Sequence, residues 1–172
     1  MKKSILLTFV LAAAISATLL TGCGKDSASS GIKSDNYIGT YYGYFSLTRL
    51  AISSPALDTV IGKQLPDTLT ITENGNTTDN IVTATSKTLN TTIDLTLTSE
   101  TTADLAITNK SVNIQTVAAT NVSANGKSTY NTSTKALNLT ATATAGSDNL
   151  GGTVLPILGL ARPELAGVFT KQ

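Results

Sequence analysis

The chain has 172 residues, of which 13% are charged, and its formal net charge is +1. It contains no histidine, no tryptophan and one cysteine. Without histidine there is no Ser-His-Asp triad, no Cys-His pair and no imidazole ligand for zinc, so the commonest hydrolase and zinc chemistries are excluded. The small charge argues against nucleic acid as a partner, because phosphate binding requires clustered lysine and arginine.

Residues 1–22 have the order of a secretory signal peptide. Two lysines precede an apolar run over residues 5–20, and Leu-Thr-Gly then leads directly to Cys23. This order resembles the lipobox of bacterial lipoproteins, in which the cysteine is acylated with palmitate-type chains and the bond before it is cleaved. An ordinary signal peptide and a transmembrane helix are the alternatives, although the run is shorter than the roughly 20 residues of a span. The resemblance implies a membrane anchor at Cys23.

Gly24 follows the cysteine, which by resemblance to enterobacterial sorting favours the outer membrane. The sequence leaves open whether the protein faces the periplasm or the cell surface. Loss of the two leader lysines changes the net charge of the mature chain to −1. Residues 23–36 are predicted to be a flexible tether, because they are rich in serine, glycine and lysine. Residues 37–172 are predicted to form a single β domain.

The side chains of the first strand alternate between two faces, which is the two-residue period of a β-strand. One face carries Gly39, Tyr41, Gly43, Phe45 and Leu47, and the other carries Tyr42, Tyr44, Ser46 and Thr48. The two glycines on the apolar face are expected to let the strand bend sharply, as a closed sheet requires.

Turn and cap signals divide the remaining chain. Ser54-Pro55 is typical of a helix N-terminus and predicts one short helix near residues 55–61. Asn74-Gly75 predicts a two-residue hairpin, and further turns are predicted at Ser99-Glu100 and Asn125-Gly126. Between these turns, apolar residues alternate with threonine.

This spacing predicts an all-β domain of eight to nine antiparallel strands that follow one another as a meander. A barrel and a two-sheet β-sandwich both fit the pattern. Threonine on the outward faces fits a soluble barrel, because an outer-membrane barrel needs apolar outer faces.

The start and end of the domain resemble the calycin-like lipoproteins of Bacteroidota. The resemblance rests on Gly39-Thr40-Tyr41-Tyr42-Gly43, on the meander, and on Leu165, Gly167 and Phe169 in the last strand, and it covers residues 37–171. Lipocalins open with a similar Gly-x-Trp motif, and Tyr41 stands at the tryptophan position. The resemblance implies an eight-stranded barrel that often holds a small apolar ligand. It also implies a basic residue stacked on the aromatic ring, which the motif does not identify.

The aromatic residues of the first strand are candidates for binding. They are Tyr41, Tyr42, Tyr44 and Phe45. Outward tyrosines can stack on sugar rings or anchor a protein partner. The structural alternative is a cross-strand pair that stiffens the sheet.

A second candidate is the apolar segment that contains Leu155, Ile157 and Leu158. It is too short to span a membrane. We expect it to lie over one end of the barrel, either as a lid above a ligand or as a plug that belongs to the core.

Three short motifs of the form Asp-Ser/Thr-apolar resemble the O-glycosylation sites of Bacteroidota envelope proteins. They make Ser27, Thr59 and Thr68 candidate glycosylation sites, with chance matches in a threonine-rich chain as the alternative.

Asp94 and Asp104 lie on the polar faces of adjacent predicted strands, where two carboxylates can support glycosidase chemistry. No activated nucleophile or base accompanies them. We therefore expect a non-enzymatic protein with no cofactor and no metal, and an acid-pair glycosidase is the alternative.

The expected function is an outer-membrane-anchored binding module. Its partner is expected to be a small apolar ligand or a cell-envelope protein. The alternative is a structural or adhesive surface subunit with a fimbrillin-like or immunoglobulin-like sandwich, in which an edge strand pairs with a neighbour.

Overall fold

The computed structural model describes residues 31–49, 51, 60–75, 80–114, 117–150, 153–155 and 162–172. Within these ranges the secondary structure is entirely β-strand, turn and bend. The strands are β1 (Gly39–Arg49), β2 (Gln64–Glu73), β3 (Ile81–Ser86), β4 (Thr91–Leu97), β5 (Thr102–Ile114), β6 (Val117–Asn131), β7 (Ala136–Leu150), β8 (Thr153–Leu155) and β9 (Glu164–Lys171).

Eight of these strands close into an antiparallel barrel. The order of strands is β6-β5-β4-β3-β2-β1-β9-β7, and a further pairing between β6 and β7 closes the circle. The short β8 pairs with the end of β7 and stands outside the circle. The predicted all-β meander barrel is therefore confirmed. The sandwich alternative is wrong, because each of the eight barrel strands has a partner on both sides.

The alternation in sequence becomes the inside and outside of the barrel. In β4, Ile93, Leu95 and Leu97 are buried, whereas Thr96 is exposed and Asp94 is half-buried. Successive side chains of a strand point to opposite faces, so a threonine-rich face is left toward the solvent. Threonine suits that face because its β-branched side chain favours the extended backbone.

The two ends of the barrel differ. At the closed end, where β1 begins, residues 32–38 lie against the loops: the Ile32 N–H donates to Asn80 Oδ1 at 3.2 Å, and Asn36 Nδ2 donates to Glu100 O at 3.0 Å. The last residues of the predicted tether therefore contact the barrel.

At the other end, which we call the mouth, β5 and β6 have 13 and 15 residues, whereas β3 and β4 have 6 and 7. One wall thus rises above the other.

Of the predicted turns, the one at Ser99-Glu100 is confirmed between β4 and β5. The two-residue hairpin at Asn74-Gly75 is wrong, because the connection runs from residue 74 to residue 80. The turn at Asn125-Gly126 is also wrong, since both residues lie within β6. A Cβ on Gly126 would lie 1.8 Å from Thr140 O, so this glycine serves the close approach of two strands rather than a turn.

The helix predicted near residues 55–61 is not formed where it can be examined. Val60 lies in a turn, and Ile61 forms an isolated bridge with Leu47 of β1. Residues 55–59 lie outside the described residues. Where the chain is described at this position, tertiary pairing with β1 prevails over the local helix-start signal.

Candidate functional site

An apolar cavity of about 50 Å³ opens at the mouth of the barrel. All of its lining side chains are apolar, and they come from most of the strands and from the loops above them. They include Leu47, Leu89, Ile107, Ile114, Pro163 and Leu165. A water molecule needs about 10–15 Å³ by this measure, so the space equals that of roughly four waters. A cavity without polar lining holds water poorly and suits a small hydrocarbon group.

Small side chains on β6 and β7 create this space. Ala124, Ala141 and Ala143 face the interior at the level of the cavity. Ala141 and Ala143 retain 7% exposure, whereas Phe45 and Leu137, deeper in the barrel, are fully buried. The barrel is thus packed to its closed end and left incompletely filled at its mouth.

Two β-bulges shape the taller wall above the cavity. The backbone is left-handed at Asn109 in β5 (φ 52°) and at Asn121 in β6 (φ 53°), and the register of the two strands shifts there. Asparagine tolerates this conformation better than most residues, and a bulge bends its strand. Beyond Asn109, Val112 and Ile114 line the cavity, and Val122 lines it between the two bulges. The sequence signal is an exposed asparagine that interrupts strict alternation.

A tyrosine cluster occupies the closed end. The ring centroids of Tyr37 and Tyr130 are 5.9 Å apart, and Tyr41 meets Tyr130 edge-on at 6.4 Å. The Tyr41 hydroxyl donates to the carbonyl oxygens of Asn36 and Tyr37, both at 2.9 Å. These contacts hold the entering segment across the barrel end.

A basic residue of the last strand, Lys171, lies beside the tyrosine cluster. Its Nζ lies 5.9 Å from the ring centroids of both Tyr41 and Tyr130. It donates to Asp35 O at 3.0 Å and to Asn36 O at 3.1 Å. Burial lowers the pKa of Lys171, with Lys135 adding to the effect and Asp35 opposing it. The usable sequence signal was the basic residue two positions after Phe169, at the end of the last strand.

The aromatic candidates on β1 separate into two groups. Tyr41 and Phe45 are fully buried in the core and do not line the cavity. Tyr42 and Tyr44 face outward, with Tyr42 52% exposed and Tyr44 half-buried. Tyr44 is paired with Val168 of β9, which is 42% exposed. The strand therefore presents its candidates on opposite sides of the barrel wall.

Several other candidates fall outside the described residues: Cys23, Ser27, Thr59, Ile157 and Leu158. Leu155 lies in β8, paired with Asp148. Thr68 lies within β2, is half-buried, and faces Tyr42 across the strand pair.

The two carboxylates considered for glycosidase chemistry do not lie opposite each other. Asp94 pairs with Ala106, and Asp104 pairs with Thr96. Asp104 forms an ion pair with Lys127 on the exposed outer wall. Asp94 accepts a hydrogen bond from Thr83 at 3.3 Å. Among the described residues, no group of three His, Cys, Asp or Glu side chains could hold a metal.

Comparison with known proteins gives no match to a family model, to a curated protein or to a solved structure. The class of the molecule is therefore set by its own geometry. It is an eight-stranded antiparallel β-barrel with an apolar cavity at its mouth and a tyrosine-packed closed end.

We expect the tyrosine cluster to make the protein less stable above about pH 10, the ordinary pKa of tyrosine. Burial raises the pKa of Tyr41, reinforced by Tyr130 and Tyr37, and burial also raises that of Tyr37, against a hydrogen bond from Ser128. A raised pKa in the folded state gives stability that is complete below the unfolded pKa and is lost as the pH rises through the folded value.

Urea unfolding at pH 8 and pH 11 measures this loss. In Tyr41→Phe the drop in the unfolding midpoint between the two pH values should be smaller. The difference between the two proteins isolates Tyr41 from Lys171, whose lowered pKa acts in the opposite sense. Equal drops in the two proteins would contradict the prediction.

Proposed function

We propose that this protein is an outer-membrane lipoprotein, anchored through acylated Cys23, whose barrel binds a small apolar ligand in the mouth cavity without catalysing a reaction. The observation that carries the proposal is the contrast between the two barrel ends. The closed end is filled by large aromatic side chains, whereas alanines leave the mouth open. Barrel mouths are common positions for small-molecule sites.

Packing energetics support this proposal. A void lined by apolar groups loses dispersion contacts and costs stability, so a barrel without a ligand gains from larger residues at these positions. Three interior alanines border the cavity, and the bulged wall adds valine and isoleucine around it. An apolar occupant would restore the missing contacts.

The lipocalin-like geometry at the closed end also supports the proposal. A basic side chain from the last strand lies over the aromatic ring that follows Gly39 and holds the segment before the first strand. The resemblance implies a basic residue stacked on this aromatic ring. The resemblance also implied a small apolar ligand in the barrel.

The test uses a chain that starts at Gly24, because residues 31–172 contain all nine strands and the described core. We expect it to bind the neutral fluorophore N-phenyl-1-naphthylamine at the open mouth, with increased fluorescence where an aromatic ring of the dye contacts the apolar lining. Ala143→Leu should weaken this binding about tenfold, a change of 1.4 kcal/mol. The same substitution should raise stability by about 0.5–2 kcal/mol, because it fills a void.

Ala118→Leu is the matched control. Ala118 is exposed on β6 near the mouth, so the same substitution there should leave dye binding unchanged. If Ala143→Leu distorts the barrel, Ala124→Val provides a smaller filling of the same cavity. Unaltered binding in both cavity variants would refute the proposed site. Native mass spectrometry of the purified chain should also reveal a retained small apolar molecule.

A second candidate function is the docking of a cell-envelope protein on the outer wall. It is favoured by Tyr42 and Val168, which are exposed large hydrophobic side chains, with Tyr44 between them on the same face. A chain that purifies without a ligand and does not bind the dye would favour this surface over the cavity.

A further inference from the structure

The dipeptide Asn-Gly occurs twice in this chain, at Asn74-Gly75 and at Asn125-Gly126. Asparagine is a thermolabile residue, and its side-chain amide is lost most readily when glycine follows, because glycine has no side chain to hinder attack by its backbone nitrogen. Both asparagine side chains are exposed. Any difference in reactivity between the two dipeptides must therefore come from the backbone around them.

Asn74-Gly75 lies beyond the end of β2, outside the hydrogen-bonded part of the sheet. Glu73 is the last residue of the strand and is paired with Val82. Gly75 has a left-handed backbone (φ 73°), and a Cβ built on it would meet no atom within 4 Å. The backbone nitrogen of Gly75 is therefore outside the ladder, and the space around it is open to water and to the Asn74 side chain.

Asn125-Gly126 lies within β6 and is paired on both sides. Asn125 is opposite Ala106 of β5 and Thr142 of β7. Gly126 approaches β7 so closely that a Cβ on it would clash with the backbone of Thr140. The N–H groups of an interior strand are hydrogen-bonded to its neighbours, and a hydrogen-bonded N–H loses its proton less readily. Reaction at Asn125 therefore requires local opening of β6.

We propose that Asn74 is a site of spontaneous deamidation in the folded protein and that Asn125 is protected by its strand. The deprotonated nitrogen of Gly75 attacks Asn74 Cγ, and the bond from Cγ to the side-chain nitrogen breaks. That nitrogen takes up the proton lost by Gly75 and leaves as ammonia. Water then opens the resulting succinimide at either carbonyl, which gives aspartate or isoaspartate. Water is the only other reactant, and no group is oxidised or reduced.

The product carboxylate would lie where the entering segment contacts the barrel. Glu73 accepts a hydrogen bond from Ser34 Oγ at 3.1 Å, and Asn80, at the other end of the same connection, accepts one from the Ile32 N–H at 3.2 Å. Deamidation adds negative charge beside Glu73, and isoaspartate adds one methylene group to the main chain between Glu73 and Asn80. The modification therefore acts on the closed end and goes beyond the proposed function of the mouth.

Incubation of the folded chain that starts at Gly24 at pH 8 tests the proposal. Digestion after lysine at mildly acidic pH, followed by tandem mass spectrometry, measures both sites in one sample, because Asn74 lies in the peptide 64–87 and Asn125 in the peptide 111–127. We expect Asn74 to be converted about tenfold faster than Asn125, or more, since Asn125 must wait for local opening. In concentrated urea the two sites should react at similar rates.

Gly75→Ala is the matched variant, because its methyl group hinders the attacking nitrogen. It should slow conversion at Asn74 several-fold and leave Asn125 unchanged, with circular dichroism verifying the fold. Equal rates at the two sites of the folded protein would overturn the proposal. Slow reaction of Asn125 in urea would overturn it as well, since the protection would then not come from the strand. Full reactivity of Asn74 in Gly75→Ala would exclude the succinimide route.

Discussion

Gly43→Ala is expected to lower the free energy of unfolding by about 3 kcal/mol, at the upper end of the usual cost of overpacking. A Cβ at this position would lie 2.0 Å from Val168 O and 2.7 Å from Phe169 Cα. Both atoms belong to the backbone of β9, so no side-chain rotation can make room. The pairing of β1 with β9, which helps to close the barrel, would have to open.

Urea unfolding monitored by circular dichroism measures this effect. Gly75→Ala is the control, because a Cβ there meets no atom within 4 Å and the cost comes only from its positive φ of 73°. That cost should be about 1 kcal/mol. If Gly43→Ala lowers the free energy of unfolding no more than the control does, β1 and β9 can separate without penalty.

Asp67→Ala is expected to have a comparable effect, a loss of about 3 kcal/mol, because it leaves one buried hydroxyl and two part-buried N–H donors without their acceptor. Asp67 Oδ1 accepts from the N–H groups of Thr68 and Thr88, both at 2.7 Å, and Oδ2 accepts from Ser86 Oγ at 2.5 Å. Ser86 Oγ in turn accepts from the N–H of Leu89 at 2.9 Å. This network fixes the turn that brings Leu89 to the mouth cavity.

The network also links stability to binding. Asp67→Ala should weaken binding of N-phenyl-1-naphthylamine, because Leu89 lines the cavity. Asp67→Asn retains one acceptor for the two N–H groups and should lose less stability. Asp104→Ala is the control, since its exposed ion pair with Lys127 contributes about 0.5 kcal/mol or less. Equal stability of Asp67→Ala and Asp104→Ala would contradict the role assigned to the network.

Prediction from sequence succeeded where the signal was local and repeated. The alternation in β1 and β4 placed Phe45 and Leu95 inside the barrel and Tyr42 outside. Prediction from sequence failed at Asn125-Gly126, where a turn signal lies inside a long strand. The local preference of Asn-Gly for a turn was outweighed by pairing with β5 on one side and β7 on the other. Gly126 is needed there for a close approach that no local pattern encodes.

The candidate site was predicted less completely than the fold. The resemblance implied an apolar interior, but it did not indicate which strands would leave space. In the sequence, the alanines of β6 and β7 are ordinary inward-facing residues of a strand pattern. That pattern does not give the size of the side chains that face them across the barrel. Lys171 was missed for a related reason. This lysine acquires its role from a residue on another strand, Tyr41.

The sequence by itself determined the all-β class, the inner and outer faces of the strands and the exclusion of histidine chemistry. These follow from side-chain period and composition, which are properties of short segments. The tertiary structure decided that the domain is a barrel rather than a sandwich, which end of the barrel is closed and which is the mouth, and where the cavity lies. Those features depend on which distant strands meet, and the contacts of Gly43 with β9 and of Lys171 with Tyr41 exist only once the barrel has closed.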